Sequence, residues 1–156
     1  MKVYVGLGGN LGNVERTFKA VLAHLVALPD LTNLEVSPFY WNPAVSPFPQ
    51  PDFLNGVCRF NWGKDPYSLF IALQNIQKLL GQPPKPKDAP RYIDLDLLFF
   101  GNQAFYSEQL EVPHPRWKER LFVLTPLSDL TDTIEVAGEI FDIHQMKAKQ
   151  YEKCTR

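Results

Sequence analysis

Apolar positions recur along the chain at two spacings, and the changes between them mark out the elements. Val3 to Leu7 is a short apolar run closed by Gly8-Gly9-Asn10, which reads as a buried strand. Asn13 can cap a helix over 14–28, because Val14, Phe18, Val21, Leu22, Leu25 and Leu28 share one face before Pro29-Asp30 ends it. Two strands are expected next, at 34–40 and 53–60. Asp65-Pro66 then opens a second helix through Leu80, with Leu69, Leu73, Ile76 and Leu80 inward and Gly81 as its stop. The run 91–100 returns to strand alternation: Ile93, Leu95 and Leu97 point one way, Asp94 and Asp96 the other. Beyond it the pattern predicts a weak strand at 104–106, a short helical piece at 115–119, a helix at 122–130, a hairpin around Ala137-Gly138 and a final polar helix.

The main elements therefore run β-α-β-β-α-β, without repeats or low-complexity segments. That order predicts an α+β, ferredoxin-like fold: an antiparallel sheet with two helices on one face, followed by C-terminal short helices and a hairpin. At 156 residues the chain is expected to form one domain, 1–156, with 45% hydrophobic and 21% charged residues as in an ordinary globular protein. A net charge of −1 gives no general basic field, so nucleic acid is not the expected partner. Cys58 and Cys154 lack metal or redox spacing, Met1 leads straight into a strand without a signal-peptide core, and no apolar run spans a bilayer. A cytoplasmic monomer is the expectation.

The chemistry concentrates in a few places. Two carboxylates side by side on an otherwise apolar strand repel each other, and burial raises the cost. Either a divalent ion holds them, most suitably Mg²⁺, which accepts one or two carboxylates plus substrate phosphates, or they pair with arginines such as Arg91 or Arg120. Of fourteen prolines, Pro43, Pro47, Pro49 and Pro51 stiffen one loop and Pro83, Pro84, Pro86 and Pro90 another; such loops are either functional or solvated connectors. The run 8–12 is glycine-rich but matches no phosphate-loop pattern, and a tight turn explains it. Phe53 and Asn55 share a strand face, an aromatic plane beside an amide. His114 and Arg116 sit on a proline-flanked turn, with Arg120 and Phe122 close behind.

Together the stretches 4–12, 39–40, 50–55, 90–100 and 112–127 resemble the 6-hydroxymethyl-7,8-dihydropterin pyrophosphokinase family of folate biosynthesis. The resemblance implies a ferredoxin-like enzyme that moves the pyrophosphoryl group of ATP onto the pterin hydroxymethyl oxygen and releases AMP. It implies two Mg²⁺ ions with ATP, held by Asp94 and Asp96, with Arg91 assisting catalysis. It places the pterin between Phe53 and Phe122, with Asn55 on its edge and Asn42, Pro43 and Val45 nearby. ATP would meet Gln74, Lys85, Lys87, Arg91, His114 and Arg120. Departures from the family pattern are Gln77 for a glutamate, Gln82 for an arginine, Asp88 or Ala89 for a tryptophan, and Gln109 for an arginine. These departures leave open a paralogue that binds pterin and nucleotide but turns over slowly. A ferredoxin-like RNA-binding module is the alternative from another class, disfavoured by the absence of a basic-aromatic run.

Overall fold

A computed structural model describes residues 1–44, 46–81 and 90–154 of the chain. Val45, Gln82, Lys85, Lys87, Asp88 and Ala89 lie outside the described residues. The elements run β1 (Lys2–Gly9), α1 (Val14–Val26), β2 (Leu31–Val36), β3 (Tyr40–Asn42), β4 (Phe53–Trp62), α2 (Pro66–Leu79) and β5 (Asp94–Phe100). They continue as β6 (Phe105–Tyr106), β7 (Glu111–Val112), a 3-10 turn (Trp117–Glu119), α3 (Leu121–Ser128), β8 (Thr133–Val136), β9 (Glu139–Asp142) and α4 (Ile143–Cys154). The main sheet has the order β2-β4-β1-β5 with antiparallel neighbours, and β3 pairs with β4. This is the ferredoxin-like plan, with β6–β7 and β8–β9 as separate small sheets.

Both main helices begin as the sequence predicts. The Asn13 side chain accepts from the Arg16 N–H, the Asp65 side chain accepts from the Ser68 N–H, and Pro66 occupies the first turn of α2. Their apolar faces, Phe18, Val21 and Leu25 on α1 and Leu69, Leu73 and Ile76 on α2, cover Val3, Val5, Leu7, Leu95 and Leu97 of the sheet. Each of these large side chains contributes roughly 1.5–3 kcal/mol when fully withdrawn from water. Among the described residues, no helix is long and apolar enough to cross a membrane.

Three features depart from the sequence expectation. The strand expected over 34–40 is two strands, because Pro38 has no N–H to donate. Ser37 bridges the break: its N–H donates to the Val57 carbonyl at 2.9 Å and its hydroxyl accepts from the Val57 N–H at 3.0 Å. Phe39 then turns toward α1 and packs edge-on to Phe18 with ring centroids 4.9 Å apart. Gly56 makes room for it, since a Cβ there would lie 2.6 Å from the Phe39 ring.

Secondly, the sheet is covered on both faces. Tyr4, Val57, Leu98 and Phe99 form a second core with Trp117, Val123, Leu124, Leu127, Ile134 and Ile143. A bulge makes this possible: β1 residues Tyr4 and Val5 face Phe99 and Leu97, which leaves Leu98 as an extra residue in β5. Leu98 and Phe99 therefore both enter the second core, after Leu97 has turned into the first. Thirdly, the strand expected from residue 91 begins at Asp94, because the Arg91 backbone bonds instead to Asn10 and Leu11.

Candidate active site

The site lies on the second face of the sheet, beyond the edge of that second core. Asn55 of β4 and Asp94 of β5 both pair with Gly8 of β1, and Asp96 pairs with Gly6 one repeat further along. Residues directly opposite in a sheet project to the same side, so Asn55 and Asp94 flank a strand that has no side chains between them. Two inter-strand spacings separate them, about 10 Å. Gly8 leaves room for the Asn55 amide, since a Cβ there would lie 3.0 Å from its nitrogen.

On the β4 side, Phe53 is half-buried and Asn55 is only 7% exposed. Asn42 of β3 pairs with Phe53, and its amide donates to the Asn55 carbonyl oxygen at 2.9 Å. This bond orients the Asn55 amide and gives Asn42 a side-chain role that the sequence had not suggested. Pro43 follows at the exposed rim. Phe122, in the first turn of α3, is half-buried against the second core, and the Arg120 guanidinium lies 5.2 Å from its ring centroid. The Tyr40 hydroxyl donates to the Asp129 carboxylate at the end of α3, joining that helix to β3.

On the β5 side the charges gather. Arg91 Nε is 3.9 Å from Asp94 Oδ2, a long contact that leaves the carboxylate available to a second partner. Burial first, and then the neighbouring Asp96, push the Asp94 carboxyl up to about 6, against the pull of Arg91. Asp96 is exposed to solvent, although protein crowds around it. That crowding raises its pKa, while Arg120 and Arg91 oppose the rise. Arg120 is thus the countercharge of Asp96, and burial lowers its own pKa despite that partner. Of the two alternatives for the aspartates, the arginine pairing is met in part: Arg91 lies 3.9 Å from Asp94, and Arg120 and Arg91 both act on Asp96.

His114 completes the cluster. Its backbone N–H donates to the Leu98 carbonyl at 3.3 Å, and its Nδ1 accepts from the Arg116 N–H at 3.4 Å. Burial, followed by the Arg120 charge, holds its pKa down to about 4. A neutral ring with Nδ1 accepting carries its proton on Nε2. Gln77 of α2 takes the Leu95 N–H at 2.7 Å, between the two aspartates, a backbone contact that sequence reasoning missed. Gln74 lies exposed one turn earlier on the same helix, and Gln109 is exposed just before β7.

The glycine-rich run is only in part a turn. Gly8 and Gly9 belong to β1, and Gly9 lies so close to the Tyr92 carbonyl oxygen that a Cβ would come within 2.5 Å. Among the described residues, no three His, Cys, Asp or Glu side chains gather as a metal site.

The same arrangement has relatives. The description 7,8-dihydro-6-hydroxymethylpterin-pyrophosphokinase (HPPK) matches residues 4–132. The chain is 37% identical over 135 residues to the 2-amino-4-hydroxy-6-hydroxymethyldihydropteridine pyrophosphokinase of Pseudomonas aeruginosa, covering 86% of this chain and 83% of that protein. It is 36% identical over 132 residues to the Bacillus subtilis protein of the same name, covering 85% and 79%. In fold it is similar to Plasmodium falciparum HPPK-DHPS solved with pteroate, with a TM-score of 0.74 at 14% identity. That match covers 99% of this chain but 44% of the longer one. On the match across 4–132 and these identities, the chain belongs to the 7,8-dihydro-6-hydroxymethylpterin-pyrophosphokinase family.

Proposed function

We propose that the chain transfers the pyrophosphoryl group of ATP to the hydroxymethyl oxygen of 6-hydroxymethyl-7,8-dihydropterin and releases AMP. The observation that carries this is the pairing of Asn55 and Asp94 with the same glycine, Gly8. A heterocycle held at Asn55 and a triphosphate held at Asp94 meet over a strand without side chains, at a spacing suited to one bicyclic ring and its hydroxymethyl arm.

Phe53 and Phe122 would stack on the pterin faces while Asn55, steadied by Asn42, bonds its polar edge. Arg120, already over Phe122 and facing Asp96, would lie between ring and phosphates. Neutral His114 would offer its Nε2–H to a phosphate oxygen, and Arg91 would supply charge to the transferring group. Gln74 completes the ATP contacts among the described residues; Val45 on the pterin side, and Lys85 and Lys87 on the ATP side, belong to the same proposal.

Asp94 and Asp96 fit Mg²⁺. They are two carboxylates whose pKa values are raised by burial, and at Asp94 also by its neighbour Asp96, with no third acidic, His or Cys ligand among the described residues. An ion taking its other ligands from phosphates and water suits that set. When bound, Mg²⁺ supplies charge neutralisation to the triphosphate. The reading takes the protein as one domain acting in the cytoplasm as a monomer on small molecules; the net charge of −1 supports the exclusion of nucleic acid. Chromatographic detection of AMP from ATP, Mg²⁺ and the pterin tests it. AMP formation must depend on the pterin, and none above the pterin-free rate refutes the assignment.

A further inference from the structure

The Asn10 side chain makes three hydrogen bonds beside the site, none of them to a residue assigned above to a ligand except through the Arg91 backbone. It is 4% exposed. Its amide nitrogen donates to the Gln50 side-chain oxygen at 2.7 Å and to the Pro51 carbonyl at 3.0 Å. Its side-chain oxygen accepts from the Arg91 N–H at 2.8 Å. The backbone N–H groups of Asn10 and Leu11 both donate to the Arg91 carbonyl, at 2.8 and 3.0 Å. One side chain thus joins three segments: the end of β1, the proline-rich loop that runs into Phe53, and the entry to Asp94. The amide nitrogen serves the 50–51 loop through two donated bonds, and the oxygen serves Arg91.

We propose that Asn10 is a positioning residue that holds the Phe53 side of the site to the Arg91–Asp94 side, its nitrogen serving the first and its oxygen the second. This rests on the function proposed above for the assignment of ligands to the two sides, but the division of labour within the amide is a property of the chain itself. Asn10→Asp separates the two duties. It keeps an acceptor for Arg91 and replaces the donor with an oxygen that repels the Pro51 carbonyl. Asn10→Ala removes both.

The test uses the full chain. Titration with the pterin and, separately, with α,β-methylene-ATP plus Mg²⁺ gives the two affinities, and hydrogen exchange reports the segments 46–53 and 91–95. Asn10→Asp, which loses the two hydrogen bonds donated to Gln50 and Pro51, is expected to weaken pterin binding by about tenfold. The nucleotide analogue should stay within twofold, and faster exchange should be confined to 46–53. Asn10→Ala should weaken both ligands and loosen both segments. Gln50→Ala, which leaves the Arg91 contact alone, should reproduce the pterin-selective loss and decides the matter if the Asn10 variants fail to fold. Equal losses for both ligands in Asn10→Asp, or wild-type affinities in Gln50→Ala, overturn the proposal. The exchange pattern answers independently of catalysis: wild-type protein that makes no AMP refutes the assigned reaction, and Asn10→Asp loosening both segments alike refutes the clasp.

Discussion

Asp94→Asn should make the metal-free protein more stable at neutral pH while removing its activity. The Asp94 carboxyl is pushed from the ordinary 3.8 to about 6 in the folded chain. Between those values the folded state holds a proton that the unfolded state has released. The sign is fixed by linkage: stability is fullest below about pH 4 and falls as pH rises through 6. A shift of that size corresponds to at most about 3 kcal/mol. The side chain is 36% exposed and Arg91 lies 3.9 Å away, so solvent screening and the loss of that contact reduce the expected gain to about 1.5 kcal/mol. For a chain of this length that is about 3–6 °C in Tm. Urea unfolding of both proteins in EDTA, at half-unit steps from pH 4 to 8, measures the difference directly. The two curves should meet near pH 4 and separate in favour of Asn until about pH 6.5. Mg²⁺ with ATP should then favour the wild type. Parallel curves, or an Asn variant less stable at pH 7, refute the claim that Asp94 is held under electrostatic load.

His114, held to about 4, acts with the opposite sign: its stabilising neutrality is present above pH 6.5 and is lost as pH falls toward 4, so His114→Gln should gain about 2 kcal/mol over wild type in acid, read from the same urea series. Asp96→Ala should abolish AMP release with the circular dichroism spectrum unchanged, and activity near wild type at low millimolar Mg²⁺ would refute its role as a ligand. Asn55→Ala should weaken pterin binding by about 10- to 100-fold in calorimetry and leave the ATP analogue unaffected, since one buried polar edge loses its partner. Gly9→Ala must move the Tyr92 carbonyl from a 2.5 Å contact, which should cost about 1–3 kcal/mol in urea unfolding.

Much of this was legible from residue order. The β-α-β-β-α-β plan followed from apolar spacing, and the shared face of Asp94 and Asp96 followed from strand alternation alone. The break at Ser37-Pro38 was marked by the proline, but the apolar residues on either side masked it. The second core was hidden for a different reason: the bulge at Leu98 breaks the period of two, so Phe99 sits on a face that strict alternation denies it. The contacts made by Asn10 and Gln77 were not legible because they reach backbone groups 81 and 18 residues away. Contacts of that kind are set by how the helix and the loops pack on the sheet, and no local pattern in the chain encodes them.

The outer edge of β5 has a consequence for how these molecules behave in crowded solution. β5 ends the sheet, and an outermost strand is a template on which another chain can add itself. Here the outward Leu95 N–H is taken by Gln77 and the Leu98 carbonyl by the His114 backbone. Between those two occupied positions stands Asp96, with Asp94 at the strand's beginning. The groups that prepare this strand for phosphates therefore also close it to other strands, and a chain stripped of Gln77 and its carboxylates would be prone to self-association through the very strand at which ATP is proposed to bind.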